Sequence, residues 1–258
     1  MQRRNFMTGL VAGAVGAAAG VAGRVGWERA RAGKAGQPIP EFGRVSFSQE
    51  GEDIVLYHAL RDTMKIEKPT YMDVGAAHPK AANNTYLLYW SAGGHGVLVE
   101  PNPMFVEMLR RDRPRDITVA AGIGVTETTE ADYYEIKGNP WLNTFSPETV
   151  KERQKGQAGN IVERITKMPL LNINKVIQEH LGKAPDLLST DVEGLDYDIL
   201  KTLDLQRFRP AVICAEDVAF WDSGQQTYIA TYLIEHGYLP RGGSMVNAVY
   251  LDKQRLKS

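Results

Sequence analysis

Thr70-Tyr71-Met72-Asp73-Val74-Gly75-Ala76-Ala77 and, past Gly93-Gly94, Gly96-Val97-Leu98-Val99-Glu100-Pro101-Asn102 are the stretches that decide the fold. Each is a short apolar run ending in a turn, and helical spacing over residues 84–90 lies between them, which predicts strand, helix, strand. Working outward, Pro103 suits a first helical turn and starts a predicted helix over 104–111, followed by a strand over 117–121. Upstream, 46–61 opens with polar caps and then sets Ile54, Val55, Leu56 and Leu60 at helical spacing. Downstream, Pro185-Asp186 introduces a strand over 187–190, then a helix over 196–203, a strand over 211–215 and a helix over 225–236 closed by Gly237. Residues 238–241 and 247–251, around Gly242-Gly243, read as a hairpin. The chain between 122 and 184 reads as irregular, except that Tyr133-Tyr134 suits strand packing and 151–155 suits a solvated, mixed-charge helix face. Repeated strand–helix–strand units predict an α/β fold, with a largely parallel sheet covered on both faces and a terminal antiparallel hairpin.

The 258 residues suffice for one sizeable domain with an N-terminal appendage, and 43% hydrophobic with 24% charged residues is ordinary globular composition. A net charge of −1 offers no electrostatic footprint for a nucleic-acid partner. Cys214 is the one cysteine, which excludes an internal disulfide, and its apolar neighbours make it a core residue.

The first 35 residues read as a leader. Arg3-Arg4-Asn5-Phe6 precedes an uncharged, Gly/Ala-rich run over 9–23, the layout of a bacterial twin-arginine signal. That run is shorter than the ~20 residues of a comfortable bilayer span. Arg24, Arg29, Arg31 and Lys34 follow it, and such charges resist translocation, so an uncleaved membrane anchor is the alternative. Residues 1–35 are accordingly expected to contact export machinery or a membrane, 36–45 to be a linker, and 46–258 to be the folded domain.

In open α/β sheets, ligands bind outside the carboxyl ends of the strands. Those ends here read Asp73-Val74-Gly75-Ala76, Glu100-Pro101-Asn102, Asp191-Val192-Glu193-Gly194 and Glu216-Asp217. A side chain at Gly75 would hold the backbone away from a bound nucleoside. Glu100 ends the second strand, where a carboxylate accepts hydrogen bonds from ribose hydroxyls. Both features suit a nicotinamide dinucleotide as well, although the loop Gly75-Ala76-Ala77-His78-Pro79 lacks the third glycine of that fingerprint.

These blocks, with Phe47-Ser48-Gln49-Glu50-Gly51-Glu52-Asp53 and Asn83-Asn84-Thr85-Tyr86, resemble the FkbM family of methyltransferases over roughly 47–217. The resemblance implies a Rossmann-like class I methyltransferase fold with a mostly parallel seven-stranded sheet. It implies S-adenosylmethionine as cofactor and a hydroxyl of a sugar or other metabolite as acceptor. By position, Asp73, Gly75, Ala76 and Glu100 would hold the cofactor, and Gln49, Glu52, Asn84 and Thr85 would line the pocket beside it. The chain departs from the family at Ala77, where Asn often stands.

Methyl transfer to an alcohol calls for a base near the methyl group, and Asp191, Glu193, Glu216 and Asp217 are the candidates. Asp191, Glu216 and Asp217 are alternatively ligands for Mg²⁺, which favours oxygen donors. His78 is a further candidate base. The stretch 138–146, with Trp141 and Phe145, suits a lid over substrate. The rival functions are an NAD-dependent oxidoreductase and an exported, non-catalytic binding module that holds a glycan or a partner protein.

Overall fold

The computed structural model describes residues 44–155, 159, 161–192, 194–217 and 227–257. The expected leader, nearly all of the expected linker and Glu193 lie outside the described residues. Among the described residues, no helix is long and apolar enough to cross a membrane. The folded chain separates into a large unit, Arg44–Asp132 with Lys167–Ser258, and a small one, Tyr133–Thr166.

In the large unit, helix α1 (Glu52–His58) runs on through a π-helical turn, Ala59–Thr63, to strand β1 (Thr70–Val74). Then come α2 (Tyr86–Ser91), β2 (His95–Val99), α3 (Pro103–Asp112) and β3 (Ile117–Val119). Strands β4 (Gly122–Ile123), β5 (Glu130–Ile136) and β6 (Val162–Leu171) form a three-stranded sheet in the order β4-β6-β5, and α4 (Pro147–Gln154) stands between the last two in sequence. The remainder is α5 (Ile173–His180), β7 (Leu187–Thr190), α6 (Asp196–Thr202), β8 (Val212–Glu216), α7 (Tyr228–Glu235), β9 (Tyr238–Gly243) and β10 (Asn247–Asp252).

Seven strands make the main sheet in the order β3-β2-β1-β7-β8-β10-β9. All neighbours from β3 to β8 are parallel, whereas β10 runs antiparallel to both β8 and β9. This is the expected α/β fold, a mostly parallel seven-stranded sheet with a C-terminal antiparallel hairpin. Strand order reverses between β1 and β7, the switch point at which such sheets bind ligands.

Alternation along the strands supplies two apolar faces. Met72, Val74, Val97, Val99, Leu188 and Ile213 face Ile173, Val176 and Ile177 of α5, Ile199 and Leu200 of α6, and Ile229 and Leu233 of α7. Tyr71, Leu98, Leu187, Val212, Cys214 and Val249 face Leu56, Leu60, Leu88 and Leu109 on the other side. Cys214 is fully buried there, as expected, and burial pushes its thiol well above the usual range.

Three predicted boundaries move. The helix expected from 46 begins only at Glu52, because Asp53 folds the preceding segment into a turn. Its carboxylate accepts from Ser46 Oγ at 2.7 Å, Phe47 N at 2.6 Å and Ser48 Oγ at 2.9 Å. The last helix is described from Tyr228, where Thr227 caps it by accepting from Ala230 N at 3.1 Å. The region read as irregular contains β4 to β6, α4 and α5. Within the small unit, Ser146 caps α4 and Glu135 takes Arg164 in a two-point ion pair at 2.7 and 2.8 Å. None of the residues of α4 is buried, in keeping with the solvated face expected there. The stretch expected as a lid lies in this unit, where Pro140–Leu142 forms a single 3-10 turn capped by Asn139.

Candidate active site

Parallel pairing aligns the ends of four strands. Val99 of β2 pairs with Val74 of β1, Val74 with Thr190 of β7, and Thr190 with Ala215 of β8. One residue further, the row across the sheet reads Glu100, Gly75, Asp191, Glu216, and Asn247 of β10 stands opposite Glu216. Neighbouring strands lie ~4.8 Å apart, so Asp191 and Glu216 are adjacent steps while Glu100 stands two strands from Asp191. The ladder continues into these ends through Gly75 N to Val99 O at 2.9 Å, Glu100 N to Val119 O at 3.0 Å and Asp191 N to Val74 O at 3.0 Å.

Gly75 has φ +83, and a Cβ built on it would lie 2.0 Å from the carbonyl oxygen of Asp191. The close approach that requires glycine is therefore made by the chain itself, not by a nucleoside as the sequence suggested. Ala76 and Ala77 complete the turn: Ala76 is buried, and Ala77 adopts φ 47.

Glu100 is buried, and each of its oxygens accepts one backbone N–H, Oε1 from Asn102 at 2.7 Å and Oε2 from Ala77 at 2.8 Å. Burial pushes its pKa up to about 7, the two backbone hydrogen bonds oppose the rise, and the charge of Asp73 adds to it. A carboxylate oxygen accepts more than one hydrogen bond, so both retain capacity for a pair of vicinal hydroxyls. A second-strand carboxylate with spare acceptor positions fits the ribose of S-adenosylmethionine.

Asp73 lies within β1 rather than at its edge. Burial raises its pKa, while a 2.7 Å bond from Thr85 Oγ1 and the charge of Arg113 pull the other way. Asn84 donates to Ser189 Oγ at 3.4 Å. Thr85 and Glu52 are fully enclosed by the protein's own atoms. Glu52 accepts from Ser244 Oγ at 2.7 Å, Asn247 Nδ2 at 3.1 Å and Glu50 N at 2.9 Å. Burial raises its pKa, but these bonds outweigh it and hold the carboxyl below its ordinary value. Gln49 is exposed.

On the acceptor side, Asp191 and Glu216 are half-buried at neighbouring row positions. Asp217 is buried and differently employed: its Oδ2 accepts from the hydroxyls of Thr227 and Tyr250, which ties the start of α7 to the hairpin. It thus ties two elements together through Oδ2. Among the described residues no group of three or more His, Cys, Asp or Glu is placed to hold a metal ion. His78 Nδ1 accepts from Lys80 N at 3.1 Å and Ala81 N at 2.9 Å. Burial lowers its pKa. With Nδ1 engaged, the neutral ring carries its proton on Nε2 and has no lone pair to offer as a base.

Two groups at the site escaped the sequence reading. Asp196, the first residue of α6, is buried beneath the Asp191–Gly194 turn, accepts from Val192 N at 3.5 Å, and is pushed by burial to about 6. Arg113 is fully buried behind the β1–α2 loop.

The row and its chemistry can be set beside known proteins. No curated protein matches the chain. Among solved structures it is similar to a TehB-like SAM-dependent methyltransferase from Corynebacterium glutamicum, at 12% identity and a TM-score of 0.40, over 91% of this chain and 99% of that one. It is also similar to the O-methyltransferase from Bacillus cereus in complex with SAH, at 11% identity and a TM-score of 0.37, over 92% of this chain and 91% of that one. The family model of the methyltransferase FkbM domain matches residues 73–240, a span that begins at Asp73 and takes in Glu100, Asp191 and Glu216. That match covers more than half of the chain, and the chain belongs to the FkbM methyltransferase domain family.

Proposed function

We propose that this methyltransferase uses S-adenosylmethionine to methylate a hydroxyl group on a sugar or other small metabolite. The observation that carries the reading is the row Glu100, Gly75, Asp191, Glu216 at the carboxyl edge of one parallel sheet. It supports a nucleoside beside Glu100 and an acceptor beside the carboxylate pair. Glu100 would accept from the ribose hydroxyls, and the Gly75–Ala77 turn would lie against the adenosyl group. When bound, the cofactor supplies a methyl group already activated on a sulfonium.

The residues have the remaining task of orienting the acceptor and removing its proton. Positioning is worth about 7–11 kcal/mol in well-oriented systems, and a general base typically adds 10²–10⁴-fold. Asp191 is assigned as the base, with Glu216 beside it. Glu193 keeps its place among the candidates from sequence.

The test uses the purified chain with S-adenosylhomocysteine in a calorimeter, then methyl transfer to a panel of glycans and hydroxylated metabolites. Glu100→Ala should weaken binding by about 1.5–3 kcal/mol, the worth of charge-assisted hydrogen bonds. Asp191→Asn should leave binding intact and lower turnover 10²-fold or more. A folded Glu100→Ala variant with unchanged affinity refutes the cofactor placement, and full turnover by Asp191→Asn refutes the base. Activity lost to a chelator and restored by Mg²⁺ would support a metal-assisted version.

A further inference from the structure

Arg113 is the largest fully buried side chain of the protein's described residues and it lies outside the row just described. It stands at the C-terminal cap of α3, with its own N–H bonded to Leu109 O at 2.8 Å. Its guanidinium reaches into the back of the loop that joins β1 to α2. Nε donates to Asp116 Oδ2 at 2.7 Å, Nη2 to the Tyr71 hydroxyl at 2.8 Å, and Nη1 to both Asn83 Oδ1 at 3.0 Å and Thr85 Oγ1 at 3.1 Å. The rings of Tyr71, Tyr86 and Tyr89 stand 5.4, 5.9 and 5.0 Å from it. An arginine cannot shed its charge, so leaving it without water demands such a cage.

The cage is directional. Thr85 Oγ1, which accepts from Arg113, passes its own proton to Asp73 Oδ2 at 2.7 Å. Asn83, held through Oδ1, donates from Nδ2 to the carbonyl of Ala76 at 3.0 Å and to that of His78 at 3.2 Å. One guanidinium therefore grips both ends of the turn whose Ala77 N–H meets Glu100. On its other flank Asp116 accepts from Gly96 N at 2.8 Å, and a Cβ at Gly96 would lie 1.9 Å from the carbonyl of Tyr71, so β1 and β2 are clamped at the same place.

We propose that Arg113 is a positioning residue for the cofactor: through Asn83 and Thr85 its guanidinium fixes the Gly75–Thr85 loop in the shape that presents Glu100 and the Ala76–Ala77 backbone. The proposal rests on the cofactor placement given above. Thr85 is the link that can be cut while Arg113 keeps its bonds to Asp116, Tyr71 and Asn83. Thr85→Val keeps the shape and removes the hydroxyl, whereas Thr85→Ser keeps the hydroxyl.

The decisive experiment measures, on the full chain, S-adenosylhomocysteine affinity, thermal midpoint and hydrogen exchange at the Ala77 amide in the ligand-free protein. Thr85→Val should weaken binding about 10- to 100-fold and speed Ala77 exchange, with Thr85→Ser restoring most of both. Arg113→Lys, which keeps the charge but not the fork, should weaken binding at least about tenfold. If Arg113→Lys fails to fold, the Thr85 pair decides. Thr85→Val and Thr85→Ser that match each other in affinity and in Ala77 exchange overturn the proposal. So do affinity losses that merely follow the thermal midpoint. Wild-type protein that binds no S-adenosylhomocysteine overturns the cofactor placement instead, a result the ligand-free exchange measurement separates from a failure of the loop argument.

Discussion

Glu100→Gln should change how stability depends on pH, because burying this carboxylate in its charged form is costly. The group titrates at about 7 in the folded protein against an ordinary value of 4.5. Between those limits the native chain holds a proton that the unfolded chain has released, so stability falls as pH rises. The gap of about 2.5 units, at 1.36 kcal/mol per unit, amounts to roughly 3 kcal/mol. That contribution is fully present below about pH 4.5 and gone above about pH 7. The amide of the variant has no such proton to lose. It does forfeit one acceptor, since an amide cannot receive the N–H groups of both Ala77 and Asn102, at a pH-independent cost of about 1–3 kcal/mol. Urea unfolding of both proteins from pH 4 to 8.5 gives the difference curve. It should be flat at the acid end, tilt in favour of the variant by roughly 1.4 kcal/mol per pH unit through the window, and level off above neutrality. Other titrating groups are shared and largely cancel, apart from Asp73, whose charge contributes to the shift. Parallel curves for the two proteins would refute the claim that Glu100 is held at a raised pKa.

Gly75→Ala should destabilise the protein by about 2–5 kcal/mol, from roughly 1–2 for a positive φ and 1–3 for parting β1 from the Asp191 carbonyl. Urea midpoints read this directly, and a loss below about 0.5 kcal/mol would contradict the built collision. For the leader, we propose that Arg3-Arg4 is read by the twin-arginine route: changing both to Lys should stop export of a fused folded reporter, and export that persists refutes that route.

The strand ends were legible because buried parallel strands are punctuated sharply, and the pairing register then brought Glu100, Gly75, Asp191 and Glu216 into one row. What the sequence could not tell apart was which carboxylates the fold ties to side chains of distant elements. Glu52 and Asp217 look no different in sequence from Glu100 and Glu216, and their side-chain partners on the hairpin and beside α7 are a matter of tertiary structure. Arg113 was harder still. It sits in Arg110-Arg111-Asp112-Arg113-Pro114-Arg115-Asp116, a run whose alternating charges suit a solvated helix end, and nothing in it marks the third arginine for burial. Helix α5 was readable in hindsight: Asn172 caps it, and Ile173, Val176 and Ile177 fall on one face. The strands β5 and β6 mix charged and apolar residues that are for the most part partly or fully exposed, so no alternation rose above the background.

The seam between the start of the domain and its closing hairpin sets an order of events during synthesis. Glu52 is destined for complete burial, yet its partners Ser244 and Asn247 lie 192 and 195 residues further along. At about 5–20 residues per second, a ribosome needs on the order of 10–40 s to supply them. Through that interval the first helix carries an acid with no place in a core, and water must keep it. A nascent chain therefore cannot seal this side of the sheet early. Its closure waits until the hairpin has been made, and truncations that remove the hairpin should leave α1 undocked however well β1 and β2 have paired.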